Sequence, residues 1–140
     1  TVEKAMRIVL DTNVLIVSFS KKSNFYWIWE GLLKNEYTLC VTTDILLEYE
    51  EIIAQQTNPL IAEAVLDAIT DLPNLGDVTK YVFWQLIKED ADDNKFVDCA
   101  IASNANFIVS HDKDFKILKK IDFPKVLVIN TEEFKEELEK

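Results

Sequence analysis

Short apolar runs separated by segments of helical periodicity constrain the fold of this chain more than any single residue does. Arg7–Leu10, Tyr37–Val41, Asn106–Ser110 and Val126–Ile129 are compact, apolar runs and read as buried strands. Between the first two, Ser23 or Asn24 can cap a helix reaching about Lys34, with Phe25, Ile28, Trp29, Leu32 and Leu33 at the i, i+3, i+4, i+7, i+8 positions of one buried face. Thr42-Thr43-Asp44 supplies cap chemistry for a helix from about Ile45 to Gln56. Asn58-Pro59 restarts a helix to about Asp71, which Pro73, Asn74 and Gly76 break. Val78–Lys88 combines helical spacing with a short aromatic composition and stays ambiguous. Asp92-Asp93 opens a helix through about Asn104, and Thr131 caps a charged C-terminal helix. Strands alternating with helices imply a parallel sheet joined by crossovers, an α/β fold.

A chain of 140 residues with 49 % hydrophobic content suits one domain with its own core, expected over residues 1–140. Met6 precedes an apolar strand like a natural start, so residues 1–5 could be an extension or a remnant foreign to the natural chain. No run of 18 apolar residues and no signal-peptide pattern occurs, and the expected location is the cytoplasm, away from membranes. Cys40 and Cys99 lack metal-ligand spacing and read as buried free thiols of a reducing compartment. A net charge of −10 speaks against coating of duplex nucleic acid, but not against an enzyme touching a few phosphates through bound cations. Gly31 and Gly76 are the only glycines, which excludes a glycine-rich phosphate loop.

Acids recur at the ends of these runs. Asp11 follows the first strand directly, Glu48 lies on the helix after the second, Asp92-Asp93 opens a helix that also holds Asp98, and Asp112 follows the third strand. In open parallel sheets ligands sit beyond the carboxyl ends of the strands, so chain order brings these acids to one edge. Two carboxylates 4 Å apart repel by about 4 kcal/mol at an effective dielectric near 20, and a divalent cation relieves this most simply. Oxygen ligands without histidine or cysteine suit Mg²⁺ or Mn²⁺ rather than zinc. Two such ions about 4 Å apart can activate a water and stabilise the leaving oxygen of a phosphodiester.

The bland readings stand beside these. Asp92 and Asp93 could be plain helix N-terminal charges, with Asp93 the favoured ligand of the two. Asp98, four residues after Asn94, could hold a second metal, orient a ligand or be exposed. Asp114 could be a further ligand or a turn cap. Asn13 and Ser110 stand beside Asp11 and Asp112, placed to hydrogen-bond them. His111, the only histidine, could be a general base but reads more simply as a loop residue. Trp27, Trp29 and Trp84 could stack bases, though core or oligomer packing is the plainer role. Lys21-Lys22 and Lys119-Lys120 could touch a nucleic-acid backbone, but two-residue charge runs are usually just solvated.

Leu10-Asp11-Thr12-Asn13-Val14, Asp44-Ile45-Leu46-Leu47-Glu48-Tyr49, Asp92 through Ala102, and Ala105 through Asp114 together resemble the PIN domain, over roughly Met6 to Ile129. The likeness is greatest to bacterial toxins of toxin–antitoxin pairs. The resemblance implies a Rossmann-like three-layer sandwich with a central, mainly parallel sheet and a Mg²⁺- or Mn²⁺-dependent ribonuclease site acting on RNA, expected to be single-stranded. Its acids map to Asp11, Glu48, Asp93 and Asp112, with Asp98 matching a further recurrent acid. An antitoxin protein is the implied partner, and the aromatic surplus around Trp27 makes a homodimer reasonable. His111 stands where the family usually has a small residue, and Leu75–Ile87 matches no family motif. The alternative is a catalytically degenerate PIN fold that binds protein or RNA. A metal-dependent phosphatase is disfavoured, because Asp11 is followed by Thr12-Asn13 rather than by the Asp-x-Asp such enzymes use.

Overall fold

The computed structural model describes residues 6–140, so the extension or remnant read at residues 1–5 lies outside the described residues. Among the described residues, five strands form one parallel sheet: β1 (Arg7–Leu10), β2 (Thr38–Val41), β3 (Leu75–Asp77), β4 (Phe107–Val109) and β5 (Val128–Ile129). Their spatial order is β3-β2-β1-β4-β5. The helices are α1 (Thr12–Ser18), α2 (Tyr26–Leu33), α3 (Thr43–Gln56), α4 (Pro59–Thr70), α5 (Asn94–Ser103) and α6 (Thr131–Glu139). Successive strand residues point to opposite faces. Ile8, Val9 and Leu10 are all fully buried, so helices cover both faces of the sheet and the fold is a three-layer α/β sandwich.

Two elements were not apparent in the sequence. Thr12–Ser18 is a helix although its run Val14-Leu15-Ile16-Val17 is largely β-branched; tertiary burial of Val14 and Leu15 outweighs propensity. Leu75–Asp77 pairs with β2 as an edge strand despite its turn-like composition. Gly76 permits that pairing: a Cβ there would lie 3.2 Å from the Arg7 guanidinium and 3.3 Å from Cys40 Sγ. The ambiguous stretch from Val78 onward is neither helix nor strand but an irregular strap leading to a 3₁₀ turn at Ala91–Asp93. The C-terminal helix is capped by Asn130, not Thr131: the Asn130 side chain accepts from Glu133 N–H, and the Glu133 carboxylate accepts from Asn130 N–H.

The chain builds outward from β1 through β2 to β3, then returns to the other side of β1 for β4 and β5. The sheet therefore reverses between β1 and β4, where a crevice opens at the carboxyl ends. Register is fixed there by Leu10 opposite Val109, and the Asp11 N–H continues the ladder to the Val109 carbonyl at 3.1 Å. The next residues, Asp11 and Ser110, thus emerge side by side at the reversal. No helix among the described residues is long and apolar enough to cross a membrane.

Candidate functional site

Asp11 occupies the N-cap position of α1 but makes no side-chain cap, which leaves its carboxylate directed to other partners. One oxygen accepts a 2.6 Å hydrogen bond from Ser110 Oγ, and Ser110 Oγ in turn accepts from Asp112 N–H at 2.9 Å. Ser110 thereby ties the two strand-end acids together. Asp11 and Asp112 line one cleft of about 310 Å³ with Asn13, Val14, Val17, Phe25 and His111. Burial pushes the Asp11 carboxyl up; the Ser110 bond opposes this, while Asp112 and Glu48 add to it.

Asp93 lies near enough to Asp112 and Asp11 to feel their charges. It ends the 3₁₀ turn and sits at the N-cap of α5, where it is only 8 % exposed, whereas the Asp92 side chain is 75 % exposed. Position on the turn, not residue type, decides between the two neighbours. Asp93 Oδ2 is buried with no hydrogen-bond partner among the described residues. Burial, then the charges of Asp112, Asp90, Asp11 and Asp114, push its carboxyl up to about 7. Carboxylate oxygens of Asp90, Asp93 and Asp114 all lie within 4.8 Å of one another. Asp90 went unnoticed in the sequence because it precedes the helix; its role as acceptor of the Asp92 N–H at 3.1 Å is what aims it at this group. Asp114 N–H donates to Asp112 Oδ1 at 2.9 Å, so Asp112 caps the turn while Asp114 joins Asp90 and Asp93.

Glu48 is placed by its neighbour. Buried Tyr49 donates its hydroxyl to the Leu10 carbonyl at 2.6 Å, pinning α3 to the end of β1. Glu48 accepts from the Thr12 hydroxyl on one oxygen and from Lys95 Nζ at 2.6 Å on the other. Lys95 also pairs with Asp92 at 3.1 Å. The i, i+3 spacing of Asp92 and Lys95 was legible, but the bridge to Glu48, 47 residues away, had no local signal. Glu48 thus stands apart from the other acids in carrying a built-in cation.

Asp98 lies elsewhere in its contacts. It is 4 % exposed and accepts from the Trp84 backbone N–H at 3.1 Å. Burial pushes its carboxyl up, and the charges that bear on it are Lys80 and Asp44, which pair with each other. One turn earlier, Asn94 grips Ile87 through both its N–H and its carbonyl, each at 2.9 Å. Asn94 and Asp98 together fasten the strap to α5. His111 is exposed, and its Nε2 is 3.1 Å from the Thr131 hydroxyl. Trp29 is buried edge-on to Phe19, Trp27 packs on Phe134, and Trp84 meets Phe123 edge-on. Burial pushes up the thiols of both free cysteines.

The carboxylate oxygens that lie within 4.8 Å of one another, those of Asp90, Asp93 and Asp114, fit a hard divalent cation, and the charges of Asp112 and Asp11 bear on the same Asp93. The donors are all oxygens, and Asp93 Oδ2 is a buried acceptor with nothing to accept from among the described residues.

No curated protein matches the chain in sequence. Among solved structures it resembles a chain of VapBC2 from Rickettsia felis bound to a DNA fragment from their promoter, with TM-score 0.62 and 22 % identity over 89 % of this chain and 98 % of that one. At that identity the likeness speaks for the fold alone. Residues 7–114, from the first strand to the last acid of the cleft, match the family model of the PIN domain, and the chain belongs to the PIN-domain family.

Proposed function

We propose that this protein is a Mg²⁺- or Mn²⁺-dependent endoribonuclease that cleaves single-stranded RNA, serving as the toxin of a toxin–antitoxin pair. The observation that carries the proposal is Asp93: a buried carboxyl with an unpartnered oxygen, facing four other acids at the sheet reversal. Isolated buried carboxylates are costly. Such a group is justified when a cation completes it.

Asp11, Asp93 and Asp112 would hold the cation, with Asp90 and Asp114 beside them and Glu48 at the margin. When bound, a divalent ion lowers the pKa of a coordinated water and offsets charge on a phosphoryl oxygen. The protein's own groups do the rest. Ser110 fixes the orientation of the Asp11 carboxylate and, by accepting from Asp112 N–H, the path of the β4 loop. Tyr49 keeps α3, and therefore Glu48, against the end of β1. Glu48 could accept a proton from the attacking water, whose oxygen bonds to phosphorus as the bond to the leaving ribose oxygen breaks and that oxygen takes a proton from solvent. Lys95 could then balance charge on the cleaved phosphate.

The toxin reading rests on the sequence resemblance and on the fold shared with the VapBC2 chain. By analogy, the partner would be an antitoxin encoded beside it. A degenerate, non-catalytic PIN fold would have no reason to keep Asp93 buried and unpartnered. The test is cleavage of labelled single-stranded RNA with Mn²⁺ and then with EDTA. Cutting that requires Mn²⁺ supports the proposal; no cutting at any Mn²⁺ concentration overturns it.

A further inference from the structure

Lys113–Lys120 forms a 3₁₀ helix directly after Asp112. In that geometry residues three apart eclipse, so three rows run along the helix. Exposure follows this period. Phe115 and Leu118 form the buried row, each 1 % exposed. Lys113, Lys116 and Lys119 form a second row, all exposed. At about 2 Å rise per residue these lysines stand roughly 6 Å apart along a line of about 12 Å.

The row borders a groove of about 240 Å³ that begins at Ser110, His111 and Asp112 and is floored by Val128 and Ile129. Asn130 and Glu133 close the far wall, and the Glu133 carboxylate is engaged by Asn130 N–H. None of the three lysines forms an ion pair among the described residues. In a chain of net charge −10, an unpaired line of three cations leading out of an acidic site is the feature that needs a ligand. Regularly spaced point charges suit a polyanion whose charges are regularly spaced too.

Resting on the ribonuclease reading, we infer that Lys113, Lys116 and Lys119 are positioning residues for the RNA backbone. They hold successive phosphates on one side of the bond to be cut, so that the bond itself lies at Asp112. The track supplies affinity and register and touches no reacting atom. It also explains how so acidic a protein could retain RNA: attraction is confined to one groove.

The test compares the wild-type protein with Lys113→Gln/Lys116→Gln/Lys119→Gln, and with a control that neutralises Lys34, Lys125 and Lys140. Binding of labelled single-stranded RNA is followed by anisotropy in EDTA, where it stays uncut, and cleavage is followed separately with Mn²⁺. Three phosphate contacts on a single strand steepen the salt dependence by about 2 log units per log unit, so the wild-type advantage should shrink about 20-fold between 50 and 200 mM salt. With Mn²⁺, KM should rise at least tenfold in the triple variant while kcat stays within threefold, and the control should match wild type. An unchanged salt slope and KM, or an equal effect in the control, would each overturn the track. The same holds if wild-type protein binds no RNA. If wild-type protein binds RNA along this row but does not cut it, the ribonuclease reading fails and the track stands.

Discussion

Replacing Asp93 by asparagine should stabilise the metal-free protein, and by an amount that depends on pH. The carboxyl is 8 % exposed and titrates at about 7 in the fold, against 3.8 as the ordinary value it regains on unfolding. Between those values the folded chain holds a proton that the unfolded chain has released. Raising the pH therefore favours unfolding across that window, and the loss is complete above about 7. The full linkage would be about 4 kcal/mol, and water entering the open cleft reduces it to about 2 kcal/mol. Asparagine keeps the shape and carries no charge, so Asp93→Asn should lack this loss. Its melting temperature in EDTA should exceed that of wild type by roughly 4–8 °C at pH 8, and by less than half as much at pH 4. The assay is thermal unfolding followed by circular dichroism across that pH range. A gap independent of pH, or a variant that melts lower than wild type at pH 8, would refute the reasoning: Asp93 would then not be a charge forced into the fold.

Divalent metal should reverse the penalty. On the proposed function Mn²⁺ binds the native acids and not the unfolded chain, so it should stabilise wild-type protein by about 2.7 kcal/mol at a hundredfold excess over its dissociation constant, and Asp93→Asn much less. Equal stabilisation of both proteins in a thermal titration would speak against Asp93 as a ligand. Asp98→Ala should leave the Trp84 N–H without its acceptor, costing about 1–3 kcal/mol and loosening the strap, while cleavage is weakened rather than lost. Loss of activity in Asp98→Ala at an unchanged melting temperature, with Asp93→Ala still active, would place Asp98 rather than Asp93 among the ligands.

The sheet was legible because buried parallel strands are nearly continuous apolar runs, as Ile8-Val9-Leu10 and Phe107-Ile108-Val109 are. What stayed hidden was structure set by partners distant in sequence. β3 is set by its pairing with β2, where Gly76 lies opposite Cys40, and not by any local preference of Leu75-Gly76-Asp77 for extension. α1 forms because its apolar side is buried, against β-branched propensity. At the site, the ends of β1 and β4 pointed to Asp11, directly after its strand, and to Asp112, three residues past Val109, because residues that close a buried parallel strand lie at the carboxyl edge of the sheet. The choice of Asp93 over Asp92 needed the 3₁₀ turn, which rotates one acid inward and leaves the other in solvent. Asp90, Lys95 and the strap-holding contact of Asp98 depend on tertiary neighbours and had no periodic signature.

The central claim is that the acids at the sheet reversal hold a catalytic cation, and Asp11 is its most direct probe. Asp11→Asn keeps an acceptor for the Ser110 hydroxyl while removing the charge, so the fold should persist and metal-free melting should be level or higher. The measurement is the initial rate of single-stranded RNA cleavage against Mn²⁺ concentration for wild type and Asp11→Asn. A saturable, EDTA-sensitive rate in wild type, reduced at least 100-fold in a folded Asp11→Asn at saturating Mn²⁺, is the expected result. Equal rates in the two proteins, or a wild-type rate that persists in EDTA, would contradict it.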